Sequence, residues 1–563
     1  MTCTGAQMVV KALEAEGVPV VFGIPGGPII PLYDALMDAP FRHILVRHEQ
    51  AACHAADGYA RVTGRPGVCI ATSGPGATNV ITGMATAAMD SVPLVVIAGQ
   101  VARPLLGSDA FQEADIFGMT LSVVKHSFFV QHLAELPRAL RGAFYLAASG
   151  RPGPVLVTIP VDVLRASGPF FYPAEVTFPG YRPGAWEDLS RLDEAADLLR
   201  RAERPVFLVG GGVIRGEAWD PLFRAATRHG VPVATTLMGK GAFPESSPLA
   251  LGLLGMHGTP VANRALTEAD LVVAVGTRFS DRSTGQVARF APRARVIHAD
   301  LDPAELGKNV PVHLGLVGEA RKILEALAAA PAAPEEHRRE WGATLESWRQ
   351  KHPLRDPRRT DGYAPWDVLD AVRARAGEDA LVTTEVGQHQ MWTALHWPLD
   401  HPRKFISSGG LGTMGFGLPA ALGAHQGAPH RPLVCVAGDG SLLMNVQELD
   451  TLVREGVPAR IIVFNNGSLG MVRQWQKLFW KERFSATETG EGCRFAALAE
   501  AFGARGWTVQ TPQELGPALD GAFAARGPSL VDVRLPREEM VFPMVPAGEA
   551  LENFIEAGAP STR

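Results

Sequence analysis

The sequence predicts an α/β protein of three doubly wound parallel-sheet domains. Short β-branched runs alternate with helical stretches along the whole chain, the pattern of parallel sheets covered by helices on both faces. Two linkers interrupt the alternation, the Pro- and aromatic-rich "SGPFFYPAEVTFPGYRPGAW" and the Ala-, Pro- and charge-rich "AAAPAAPEEHRREWGATLESWRQKHPLRDPRRTDGYAP". The outer blocks also echo each other. "CIATSGPGATNVITGMATAAMDSVPLVVIAG" and "CVAGDGSLLMNVQELDTLVREGVPARIIVFNN" both read strand, glycine turn, helix, Val-Pro, strand. Two sister domains flanking a different middle one are expected.

The first domain is placed at residues 1–165, with strands in "VPVVFGIPGG", "HILVRHEQ", "GVCIATSGPGATN", "PLVVIAGQ" and "GPVLVTIP". The second, 190–330, holds "PVFLVGGG", "VPVATTLM", "LVVAVGTRF" and "RVIHADLD". The third, 365–540, holds "ALVTTEVGQHQ", "LVCVAGDG", "RIIVFNNG" and "SLVDVRL". The second linker is expected to be helical in part.

Bulk properties narrow the class. The 563 residues are 46% apolar and 20% charged, ordinary for a globular protein with large cores. The net charge of −5 is small and no Lys/Arg run suggests a nucleic-acid surface. Cys3, Cys53, Cys69, Cys435 and Cys493 are scattered without a CxxC, which suggests reduced thiols in a cytoplasmic protein. The amphipathic, acid-bearing start is not a secretory signal, and the longest apolar runs are too short to cross a membrane.

One motif carries chemistry by its spacing. In "VCVAGDGSLLMN", Asp439 stands between Gly438 and Gly440 at the end of a strand; after Gly440 come 24 residues, then Asn465 and Asn466, closing the strand "RIIVF". Both therefore lie at carboxyl ends of strands, where open α/β sheets bind ligands. An Asp oxygen, an Asn amide oxygen and a backbone carbonyl are hard ligands suited to Mg²⁺, with positions left for phosphate oxygens. The glycines let backbone and helix N-terminus approach an anion.

GDG with NN at this interval resembles the thiamine-diphosphate signature. That resemblance implies that Asp439, Asn466 and the Ser468 carbonyl hold the metal. Gln388, His389 and Ser441 would lie near the diphosphate, together with Val386, Gly387, Gly438, Gly440 and Gly470 of the same motifs. Proton removal from the cofactor needs a carboxyl group beside its pyrimidine ring. Glu49 in "VRHEQAACHAADGYAR" fits, following a strand and opening a helix of small residues. In "SSGGLGTMGFGLPAALGA", Met414 resembles the apolar wedge that bends the cofactor, and the Gly412 carbonyl an acceptor for its exocyclic amine. In this superfamily the glutamate faces the metal-binding domain of another subunit, so a homodimer is the smallest active unit implied, and a tetramer is open.

"GQVARPLLGSDAFQE", "LLGMHGTPVAN", "VGTRFSDRSTG", "HADLDPAELGKN", "EVGQHQMW" and "GMVRQWQ" together resemble the catalytic subunits of acetolactate (acetohydroxyacid) synthases. The resemblance implies decarboxylation of pyruvate and transfer of the remaining two-carbon unit to a second 2-oxo acid, pyruvate or 2-oxobutyrate, in branched-chain amino acid biosynthesis. Arg282 would bind the acceptor carboxylate with its guanidinium fork. Trp475 would wall the acceptor pocket, with Phe111, Met256 and Met471 as apolar neighbours and Gln112 as a polar one; Met471 also falls on the cofactor side. The middle block resembles the family's FAD domain, with a close-approach turn at Gly210, Gly211 and Gly212. Arg151, Gly211, Met256, His257, Arg278, Asp300 and Leu301 would face the flavin.

Val161 stands where the family usually has lysine and Ala102 where proline is common; both are expected near the flavin or the channel mouth. A small regulatory subunit is an open expectation. The alternatives are a flavin-free catabolic acetolactate synthase, another thiamine-diphosphate-dependent 2-oxo acid decarboxylase, or a nucleotide-binding module without catalysis.

Overall fold

A computed structural model describes residues 2–356, 359, 363–490 and 492–557. Residues 357, 358 and 360–362 of the second linker lie outside the described residues; the linker's helix, Arg339–Lys351, lies within them. The chain forms three six-stranded parallel sheets, as the strand–helix alternation predicts.

In the first sheet the strands lie in the order Arg42–Leu45, Val20–Gly23, Gly67–Ala71, Leu94–Gln100, Pro154–Pro160, His126–Phe129. The third runs Phe405–Ile406, Leu381–Thr384, Leu433–Gly438, Ala459–Asn465, Ser529–Arg534, Arg505–Val509. Numbered along the chain within each sheet, both read second, first, third, fourth, sixth, fifth. The middle sheet reads third, second, first, fourth, fifth, sixth, from Ala250–Leu253 to Leu314–Val317. The outer sheets are thus sisters and the middle one differs. A short antiparallel pair, Thr2–Thr4 with Ser167–Pro169, adds to the N-terminal unit.

Central strands are buried on both faces, which is why they are continuously apolar. Leu433–Gly438 is buried throughout: Val434 and Val436 join one core, Cys435 and Ala437 the opposite one. That opposite core is shared with the first sheet through Cys69 and Val96. Helices Glu49–Thr63 and Gly417–Gly427 form the seam. A Cβ at Gly58 would overlap the Ala420 carbonyl, and one at Gly423 the Ala55 carbonyl, so both glycines are required by backbone contact.

A buried ion cluster joins all three units. Arg61 bonds Asp57 and, at 2.9 Å, Asp90, and donates to the Ser407 carbonyl. Asp90 also accepts from the Gly409 and Gly410 amides, while Arg215 of the middle unit donates to the Asp90 carbonyl. Such a cluster leaves an uncompensated charge if one member is lost. It fixes the glycine loop 409–415 against the middle unit. No helix among the described residues is long and apolar enough to cross a membrane.

Candidate active site

In the third sheet, Leu381–Thr384 and Leu433–Gly438 are neighbours whose crossovers run to opposite sides, the topological switch point where open sheets bind ligands. Asp439 follows the second strand and is only 6% exposed. Its Oδ2 accepts from Thr489 Oγ1 at 3.2 Å, and burial pushes its carboxyl up to about 6. A buried carboxylate with no cation beside it calls for a proton or a metal. Asn466 donates its Nδ2 to Gln388 Oε1 at 3.0 Å, and its amide oxygen has no hydrogen bond among the described residues. Ser468 is buried in the turn after it. Asn465 is structural, donating to Asp532 Oδ1 at 2.8 Å. Among the described residues no group of three His, Cys, Asp or Glu could hold a metal. A hard cation here would therefore rest on one carboxylate plus amide and carbonyl oxygens, a donor set that fits Mg²⁺ with phosphate completing the shell.

The neighbouring glycines form a cradle. A Cβ at Gly438, or at Gly387 with its φ of +153°, would press on the His389 ring; one at Gly470 would overlap Gln388 Oε1 and one at Gly440 would meet Leu469. His389 is buried, its imidazole pushed down to about 3 by desolvation, and Nε2 has no partner among the described residues. An orphaned polar atom beside these close-packed glycines suits a phosphate.

Glu385, which the sequence reading overlooked, organises the loop that carries Met414. Its carboxylate accepts from the Gly415 amide at 2.7 Å, the Leu418 amide at 3.0 Å and Ser441 Oγ at 2.7 Å. Asn445 Nδ2 donates to the Gly415 carbonyl. Three motifs, 385–389, 412–418 and 438–441, thus converge on one buried acid. Its sequence signal was adjacency to Val386 and Gly387. Thr489 had none.

A cavity of ≈ 780 Å³ adjoins them, within the size of a cofactor pocket. Val386, Gly387, Gly412 and Met414 line it, as do Met256, Arg282, Met471 and Trp475. Arg282 stands over the Trp475 ring, its Cζ 5.8 Å from the centroid, and also bonds Asp281 at 2.9 Å. Trp475 Nε1 has no partner.

The same cavity takes in Arg151, Gly211, His257, Arg278, Asp300 and Leu301. Arg151 is bonded to Glu305 at 2.7 Å and Asp302 at 3.1 Å. Burial pushes Asp300 up to about 6. His257 meets the Pro543 carbonyl through Nδ1 at 3.2 Å, is pushed down to about 4 by burial, and leaves Nε2 unpartnered. A roomy, mostly apolar pocket with a few unsatisfied polar atoms fits a flavin. The turn at Gly210, Gly211 and Gly212 lines this cavity too. Cβ atoms at Gly210 and Gly212 would overlap the backbone of Gly276, so these glycines let two strand ends pack together; Gly211 alone is hemmed by side chains, those of Arg215 and Met238.

Three expected residues lie elsewhere in the chain. Glu49 opens the helix Glu49–Thr63 and accepts on Oε2 from Asn79 Nδ2 at 2.9 Å. A Cβ at Gly76 would come within 3.2 Å of Glu49 Oε1, and one at Gly74 would overlap Gln112. Phe111 is 87% exposed beside Gln112, whose φ is +61°. None of the three lines the cavity with Trp475. Val161 and Ala102 do not line it either; Arg103 Nε donates to Asp162 Oδ2 at 2.7 Å and ties their two segments together. Large apolar side chains are exposed at Leu105, Phe111 and Leu121 of the first unit and at Leu443, Met444 and Trp480 of the third.

Comparison with known proteins places the chain. Residues 3–119 match the thiamine pyrophosphate enzyme N-terminal TPP binding domain, 192–327 the central domain and 385–533 the C-terminal TPP binding domain. The acetolactate synthase large subunit of Parasynechococcus marenigrum is 48% identical, covering 100% of this chain and 92% of that one. The isozyme 2 large subunit of Escherichia coli is 48% identical over 98% and 99%. The probable large subunit of Methanocaldococcus jannaschii is 45% identical over 98% and 95%. The chain belongs to the thiamine pyrophosphate enzymes and, among them, to the acetolactate synthase large subunits.

Proposed function

We propose that this chain decarboxylates pyruvate and joins the remaining two-carbon unit to a second 2-oxo acid, as an acetolactate synthase of branched-chain amino acid biosynthesis. The observation that carries the reading is the single cavity in which Arg282 and Trp475 meet Val386, Gly387, Gly412 and Met414. An acceptor carboxylate has a guanidinium there, beside the residues assigned to thiamine diphosphate.

Asp439, Asn466 and the Ser468 carbonyl would hold Mg²⁺. Gln388, His389 and Ser441, with the glycines at 387, 438, 440 and 470, would hold the diphosphate. Met414 would wedge beneath the bound cofactor and the Gly412 carbonyl accept from its amine. Thiamine diphosphate, when bound, supplies the electron sink for breaking and forming carbon–carbon bonds. Glu49 would hold a proton on its carboxyl group at the pyrimidine. Arg282 orients the acceptor by bidentate bonds to its carboxylate. Trp475, Met256, Met471 and Phe111 exclude water, and Gln112 offers an amide to the substrate. FAD would lie along Arg151, Gly211, His257, Arg278, Asp300 and Leu301 in a structural role.

Glu49, Phe111 and Gln112 lie apart from the cavity in one chain, and large apolar side chains are exposed on the first and third units. A homodimer, alone or as half of a tetramer, supports both facts, each chain lending its Glu49 face to the other's cavity. Because the relatives are named large subunits, a small subunit is a further proposed partner. Free cysteines suit a cytoplasmic enzyme.

The test is product analysis. Purified protein with pyruvate, thiamine diphosphate and Mg²⁺ is expected to yield acetolactate. Acetaldehyde as the only product would show a simple decarboxylase, and a colourless protein with full activity would remove the flavin.

A further inference from the structure

Helix Gly470–Phe479 has two working faces. Residues four apart share a face, so Met471 and Trp475 look together into the cavity while Gly470 and Gln474 look away from it. On the second face Gln474 is 2% exposed. Its amide fills its hydrogen-bonding capacity: Oε1 accepts from Gln388 Nε2 at 2.9 Å and from the Val541 amide at 2.8 Å. Nε2 donates to the Val541 carbonyl at 3.0 Å and meets Met544 Sδ at 3.3 Å. A buried amide so fully committed is a fixed point.

What it fixes is the segment after Val541, which leaves the third unit and docks on the middle one. There the Pro543 carbonyl accepts from His257, and the Val545 amide donates to the Met256 carbonyl at 2.7 Å. The Met256 amide in turn donates to the Arg282 carbonyl at 2.8 Å. Arg282 then stands over Trp475, one residue from the start of the path. The contacts close a ring around the pocket assigned to the acceptor: Gln474, residues 541–545, Met256, Arg282, Trp475.

We propose that Gln474 is a positioning residue that sets the separation of Trp475 from Arg282, and so the enzyme's choice between acceptor 2-oxo acids. The proposal rests on the acetolactate reading of the cavity. Gln474 reaches the acceptor pocket through this ring and separately bonds Gln388 of the proposed diphosphate site; the amide's two-sided grip on Val541 holds the ring closed. That grip is the tie nearest the pocket between the two walls, which belong to different units, besides the cation–ring contact.

The test compares the unsubstituted holoenzyme with Gln474→Met and Gln474→Glu in mixtures of pyruvate and 2-oxobutyrate. Gln474→Met fills the space but offers no amide. It is expected to shift the ratio of the two condensation products about fivefold toward indiscriminate use, the scale of one lost buried hydrogen-bond pair. Gln474→Glu keeps the two accepted bonds but turns a carboxylate oxygen on the Val541 carbonyl in place of the donated one, so it is expected to shift the ratio in the same direction and serves alone if the methionine variant does not fold. Hydrogen exchange of residues 541–545 in the cofactor-free proteins is expected to quicken in both variants. Faster exchange with an unchanged product ratio overturns the proposal, since it leaves Gln474 a purely structural role. An unsubstituted enzyme that makes neither product overturns the acetolactate reading itself.

Discussion

Arg282 holds its guanidinium over the ring of Trp475, Cζ to centroid 5.8 Å, although the two residues lie on helices of different units and far apart in sequence. The ring face takes up positive charge without consuming an N–H, so the donor fork stays available in its own plane. The other partner, Asp281, is well exposed and contributes little. The ring contact, not the ion pair, therefore holds the fork in place.

Arg282→Lys keeps the charge and loses both the fork and the plane. The expected result is a fall of roughly a hundredfold in the efficiency with which the acceptor is used. Pyruvate consumption continues and acetaldehyde replaces part of the acetolactate. Product partitioning at saturating pyruvate checks it; unchanged partitioning would mean that another group binds the acceptor carboxylate.

Glu49 and Asp439 make a second prediction, because each chain is proposed to complete the other's site. Glu49→Gln is expected to lower turnover by about a hundredfold or more while diphosphate binding, measured by calorimetry, persists. Asp439→Ala is expected to lose Mg²⁺-dependent diphosphate binding instead. Mixing the two inactive proteins under conditions of subunit exchange should recover activity, since a mixed dimer segregates both defects into one site and leaves the other intact. No recovery from chains that demonstrably exchange would place Glu49 in the same chain's site.

How much of this was legible in the sequence depends on where each residue is satisfied. The central strands, such as Val206 to Val209 or Ile461 to Val463, declare themselves because burial on both faces demands continuous apolar runs. The strands without such a signature lie at sheet edges: His126–Phe129, Ala250–Leu253, Leu314–Val317, Phe405–Ile406 and Arg505–Val509. His126–Phe129 is nowhere fully buried, so selection for apolar side chains there is weak. The site divides in the same way. Asp439 with Asn466, and Gly387 with His389, are read from short spacings within a motif. Glu385 acquires its role from Ser441, 56 residues on, and Gln474 from Val541, 67 residues on. Neither separation leaves a local pattern. The segregation of Glu49 from the cavity was expected from the family resemblance alone; no spacing contained it.

Metal binding gives a third prediction. Burial holds the Asp439 carboxyl at about 6, above the ordinary range, so a proton competes with Mg²⁺ at that oxygen. Apparent Mg²⁺ affinity in the presence of thiamine diphosphate is expected to fall by up to about tenfold per pH unit below 6 and to level off above 7. Titration calorimetry between pH 5 and 8 checks the profile, with Asp439→Asn as the variant that should bind weakly at every pH. A flat profile in the unsubstituted protein would remove Asp439 from the metal.

Glu385 supplies the last prediction, on the cofactor-free protein. Desolvation pushes its carboxyl up to about 7 against the opposing pull of Ser441 and the backbone amides of residues 415, 417 and 418. In the unfolded chain a glutamate ionises at about 4.3. Between those two values the folded protein binds a proton that the unfolded chain has released. The stability gained from this group is thus complete below about 4.3 and is lost as the pH rises through 7. Glu385→Gln cannot ionise and keeps most of the shape, so it removes this slope. Relative to the unsubstituted protein, its melting temperature should therefore climb from pH 5 and level off between pH 7 and pH 8, even if the variant begins less stable for want of one acceptor oxygen. A melting-temperature difference that stays constant over that range would mean that the carboxylate ionises at its ordinary value, its three hydrogen bonds offsetting the whole cost of burial.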